Sequence, residues 1–111
     1  MSEPVALRPA EHAVWSSTKM GKSTLFSSPR LLVGLNAFEP GQEHALHAHD
    51  GMDKVYQVLA GRGRFLLAER EIEFEPGMML TAPAGEPHGI RNTGDERLLV
   101  LAILAPGPMG G

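Results

Sequence analysis

From Glu39 onward, turn residues interrupt this chain about every 8–12 residues, a spacing that leaves room for short strands and little else. The interruptions are Glu39-Pro40-Gly41, Gly61-Arg62-Gly63, Pro76-Gly77, the loop Pro83-Ala84-Gly85-Glu86-Pro87, and Thr93-Gly94-Asp95-Glu96. Each carries Gly or Pro where a tight turn needs an unusual or pre-set φ. The stretches between them, residues 30–38, 54–59, 64–68, 78–82, 88–92 and 97–104, have the composition of strands. Residues 71–75 alternate strictly, which puts Ile72 and Phe74 on one face and three carboxylates on the other. Within 97–104, residues 98–104 are apolar at consecutive positions, the pattern of a central strand covered on both sides. No stretch shows a 3.6-residue period. The expected fold is all-β, an antiparallel sandwich or barrel. Residues 1–12 read as an extended arm and residues 13–111 as a single barrel domain, with residues 13–19 as its first strand.

The 111 residues suffice for one core. With six aromatic residues in all, that core must rest on Leu, Val, Ile and Met. Met78 and Met79 fall on opposite faces of their strand and read as packing residues. A net charge of −3 without a basic run argues against a nucleic-acid surface. The absence of Cys removes disulfides, thiol nucleophiles and thiolate metal sites together. The start Met1-Ser2-Glu3-Pro4 lacks the basic and apolar regions of a signal peptide. The longest apolar run, residues 98–105, falls far short of the ~20 residues of a membrane helix. A cytoplasmic protein with neither nucleic-acid nor membrane partners is expected.

The chemistry concentrates in the histidines. His47 and His49 are one residue apart, which on a strand points both imidazoles to the same side. His88 lies after the Pro/Gly loop, and a barrel can bring it opposite the pair. Imidazole suits Zn, Fe, Ni and Cu, and three His ligands leave coordination positions open. His44, three residues before His47, does not share that face on a regular strand and reads as a surface residue. His12 lies in the arm and has no assigned role.

Two motifs resemble those of the cupin family. The first runs Gly41-Gln-Glu-His-Ala-Leu-His47-Ala-His49 and closes at Gly61; it follows the family's Gly, five residues, His-x-His, acid and closing Gly, except at the acid. The second runs Gly77-Met-Met-Leu-Thr-Ala-Pro83-Ala-Gly85-Glu-Pro-His88-Gly-Ile-Arg-Asn92, with Gly, Pro, Gly, His and Asn at the family spacing. The resemblance implies a double-stranded β-helix, or jelly-roll barrel, and a divalent transition metal (Zn, Fe, Mn, Ni or Cu) held by His47, His49 and His88. Gly85 is expected to let the loop reach His88 without a Cβ clash, and Asn92 to cap backbone groups at a turn.

The departure is Lys54, which occupies the place of the family's usual Glu. An ammonium about 5 Å from a dication at an effective dielectric near 20 feels a gross repulsion of roughly 6–7 kcal/mol, so a charged Lys54 is no metal ligand. The Lys54 stem could turn its head away from the ion, a bulge could bring Asp53 into the site instead, or the cup could be vacant. Under simple alternation Tyr56 shares the face of Lys54 and could offer a hydroxyl inside the cup. Glu86 and Arg91 flank His88 as rim or solvated residues.

The resemblance implies a metal-dependent enzyme of dioxygenase, isomerase or lyase type acting on a small oxygenated molecule. The alternatives are a non-catalytic metal- or ligand-binding barrel and a structural barrel with a vacant cup. Small proteins of this design are commonly homodimers, and an arm lying along a neighbour's sheet would cover edge strands.

Overall fold

Strand follows turn much as the punctuation requires in the computed structural model of the chain, which describes residues 3–107. After a short 3-10 helix, Pro9–His12, come nine strands: β1 (Gly21–Ser28), β2 (Leu31–Phe38), β3 (Glu43–His47), β4 (Asp53–Ala60), β5 (Gly63–Leu67), β6 (Glu71–Phe74), β7 (Met79–Ala82), β8 (His88–Arg91) and β9 (Leu98–Ala105). They form two antiparallel sheets, one ordered β1-β2-β9-β4-β7 and the other β3-β8-β5-β6. Among the described residues no helix is long and apolar enough to cross a membrane.

The main core lies between the sheets. Phe38 of β2, Tyr56 and Val58 of β4, Phe65 of β5, Phe74 of β6, Ile90 of β8 and Leu98 and Val100 of β9 fill it. Each such side chain contributes about 1.5–3 kcal/mol by leaving water. Strand β9 sits centrally, between β2 and β4. Its other face, through Leu99 and Leu101, joins a second cluster with Leu35, Ala37, Leu25, Ala13 and Trp15. The continuous apolar run of this strand is therefore explained by cover on both sides. Strand β6 keeps its alternation, with Phe74 buried and Glu71 and Glu73 exposed.

Two expectations fail here. Residues 13–19 form no strand. Ala13 and Trp15 instead pack on the outer cluster, and the guanidinium of Arg97 stacks 4.5 Å from the Trp15 ring centre. Met78 and Met79 are not core residues: they are 39% and 53% exposed, because β7 is the edge of its sheet and Leu80 takes the inward place.

Asn92 links the two halves of the fold. Its side-chain amide donates to the carbonyls of Phe38 (3.0 Å) and Glu96 (2.9 Å), and its side-chain oxygen accepts from Gly94 N–H (3.0 Å). It does cap backbone groups, and from a buried position.

Candidate metal centre

His47 ends β3 and His88 begins β8, and the antiparallel register sets them directly opposite each other. His49 follows two residues beyond the strand end. One nitrogen from each of the three rings lies within 4.8 Å of the others, a group that could hold a metal ion. The ring centres are 4.3 Å apart for His47 and His88, 4.9 Å for His47 and His49, and 5.6 Å for His49 and His88.

Second partners orient two of these rings. His47 Nδ1 lies 2.8 Å from the Ala45 carbonyl and His88 Nδ1 lies 2.9 Å from the Glu86 carbonyl. A carbonyl only accepts, so Nδ1 carries the proton and Nε2 presents a lone pair. This tautomer, with its carbonyl partner, is the one metal-ligating imidazoles use. The Nε2 atoms of His47, His49 and His88 are all buried without a hydrogen-bond partner. Buried polar atoms left unpaired are costly, and three converging on one point suit a shared cation. Burial holds all three imidazoles below their usual pKa, in the neutral form that can coordinate. The residues present therefore fit a divalent transition ion with open positions.

The loop before His88 is tied down at two adjacent residues. Gly85 N–H donates to the His49 carbonyl (2.9 Å), and Asp53 accepts from Ala84 N–H (2.9 Å). A Cβ on Gly85 would meet nothing within 4 Å, so relief of a clash is not its role; its φ of +83° is, since glycine enters that region without cost. Asp53 is exposed and occupied by the loop, so the β4 bulge that would bring it into the cup is absent.

Lys54 does enter the cup. It is 5% exposed, and its Nζ sits 4.7 Å from the centre of the Tyr56 ring. It lines a cavity of about 270 Å³ with His44, His49, Asn36, Ser23 and Lys22. Burial, then the neighbouring charge of Lys22, lowers its pKa to about 8. Tyr56 is fully buried beside it, its hydroxyl unpartnered and its pKa pushed up by burial. His88 also borders a second cavity, of about 540 Å³, whose wall includes Ile72, Leu80 and Ala82. Glu86 and Arg91 stay outside: Glu86 is exposed, and Arg91 pairs with Glu43 and Glu71 across the outer sheet surface.

His44 is the residue that strand periodicity misplaces. Its ring centre lies 4.0 Å from that of His47, and it lines the same cavity as Lys54. The register of β3 shifts between His44 and His47, so that Ala45 and Leu46 stand opposite Gly89 alone. This is a β-bulge, and it returns His44 to the side of His47. Burial, reinforced by His47 and the nearby lysines, lowers its pKa to about 3. It lies outside the group of three. The sequence signal for it is faint: a glycine in the strand facing an edge strand that carries His.

A family model described as "Cupin domain" matches residues 34–104. The oxalate-binding protein of Thermotoga maritima is 29% identical over 85 residues, 77% of this chain and 69% of that protein. Auxin-binding protein 1 of Arabidopsis thaliana is 32% identical over 96 residues, 78% of this chain but only 48% of its relative. Among solved structures, the protein TT1209 from Thermus thermophilus superposes with a TM-score of 0.88 at 40% identity, covering 93% of this chain and 98% of that one. Fold, motifs and matches agree: the chain belongs to the cupin family.

Proposed function

We propose that this cupin holds a divalent transition ion (Zn, Fe, Mn, Ni or Cu) on His47, His49 and His88 and takes a small oxygenated molecule at the positions left open. The observation that carries this reading is the convergence of three buried, unpartnered Nε2 atoms, two of them on rings whose Nδ1 is held by a carbonyl. A bound ion there would supply Lewis-acid polarisation of a carbonyl or enolate oxygen. The chain's own part is to keep three imidazoles neutral and oriented, to line the cup with apolar side chains, and to present Lys54 to the ligand. The resemblance to a protein named for binding oxalate supports a small oxygenated ligand.

Two forms of this function differ in outcome: an enzyme of dioxygenase, isomerase or lyase type, and a barrel that binds without turnover. The buried cation Lys54 favours the second form, since it stands where the family has an anion. The test is elemental analysis of untagged protein, followed by oxygen consumption with a panel of enols and catechols. About one equivalent of metal is expected; none would leave a structural barrel. Oxygen uptake would identify the dioxygenase.

The protein acts in this reading as a cytoplasmic homodimer, with no nucleic-acid or membrane partner. The exposed apolar side chains Val5, Leu7, Val14 and Phe26 support the dimer, since a second copy would cover them. Sedimentation at micromolar concentration is expected to give twice the chain mass of 11.9 kDa; a monomer would contradict it.

A further inference from the structure

Among the described residues, the buried cation Lys54 has no anionic partner. The ion pairs among the described residues join Arg62, Arg64, Arg91 and Arg97 to glutamates, and none involves Lys54. Among the described residues no carboxylate lines its cavity; a second cation, the exposed Lys22, stands there instead. The hydroxyl of Ser23, another lining residue, is buried without a partner, as is that of Tyr56. A charge removed from water needs a counter-charge or hydrogen bonds, and this cavity supplies donors but no anion. Register explains the gathering: Lys22 pairs with Asn36 on neighbouring strands, while Lys54 faces inward from β4 across β9. His49 and His44 line the same cavity.

From this arrangement we infer that the cavity beside the three imidazoles is a carboxylate pocket, in which Lys54 and Ser23 bind the anionic head of a small ligand and Lys22 draws it in. The position of the ligand rests on the three-imidazole reading above; its charge does not. The ligand brings the negative charge that the family's Glu would otherwise supply, so the cation in that slot becomes a selectivity device. The volume of about 270 Å³ falls just under the ~300–1,000 Å³ of ordinary ligand pockets, which suits a molecule of few heavy atoms.

Calorimetric titration of oxalate into metal-free and Ni²⁺-loaded protein tests this in the wild type, Lys54→Met and Lys22→Met. Lys54→Met is expected to weaken oxalate binding at least about tenfold in both forms, as loss of a buried charge-assisted bond does. Lys22→Met, at the solvated mouth, is expected to weaken it about two- to threefold. Ni²⁺ affinity of Lys54→Met should be unchanged or higher. Equal oxalate affinity in the wild type and Lys54→Met would overturn the pocket, and so would inorganic phosphate binding as tightly as oxalate. Failure of the wild type to take up Ni²⁺ would overturn the three-imidazole reading alone, because the metal-free titration still reads the lysine. If Lys54→Met does not fold, Lys54→Gln gives the same comparison.

Discussion

The carbonyl oxygen of His44 lies so close to Gly89 that a Cβ there would sit 2.6 Å from it. The bulge in β3 and the glycine in β8 are thus one device: only a bare backbone leaves room for the extra residue that turns His44 toward His47. Gly89→Ala must push β3 away or flatten the bulge. The expected cost is about 1–3 kcal/mol in denaturant unfolding, with weaker metal uptake because His47 and His88 neighbour the displaced segment. Unchanged stability and metal affinity would show that the bulge does not depend on the glycine.

Asn92→Ala separates fold from site. It strands two carbonyls and one N–H in or near the core, each partner worth about 0.5–1.5 kcal/mol. A loss of about 2–4 kcal/mol is expected in thermal or denaturant melts, with the metal stoichiometry of the folded fraction kept. Loss of metal at full stability would contradict this division.

Lys54→Glu restores the acid of the family pattern at a position facing the cup. Removing one repelling charge and adding an attracting one should tighten metal binding at least about tenfold, measured by competition with a chelator. Weaker binding would mean that the Lys54 side chain does not face the imidazoles.

Acid should destabilise the metal-free protein. His44, His47, His49 and His88 all have folded pKa values below the ordinary 6.5, chiefly through burial, and that of His44 is about 3. Between those values and 6.5 the unfolded chain binds more protons, so stability is fully present above pH 6.5 and lost as pH falls through the folded pKa values. With chelator present, the Tm should hold from pH 7.5 to about pH 6.5 and fall steadily from there to pH 5. A flat profile would contradict the buried, neutral state of the four rings.

Most strands were legible because Gly or Pro chemistry bounds them, with β6 keeping a period of two and β9 a continuous apolar run. Residues 13–19 misled because Ala13 and Trp15 serve a cover over the outer cluster, where no ladder partner is needed. Met78 and Met79 misled because hydrophobicity does not tell an edge strand from an inner one. His47, His49 and His88 could be singled out by their spacing together with the resemblance to the cupin motifs, and the register sets His47 against His88. His44 could not, since a one-residue bulge reverses the face of everything on one side of it. Lys54 announced itself as an exception to a pattern, but that its head lies over Tyr56 inside the cup is a matter of packing.

The most direct measurement is metal content, by elemental analysis, of untagged wild-type protein and of His88→Ala, each dialysed against the same trace of metal. The account predicts about one equivalent in the wild type and essentially none in the variant, with the β-sheet circular dichroism of both alike. A full equivalent retained by His88→Ala would show that the ion is held elsewhere and that the three imidazoles are not its site.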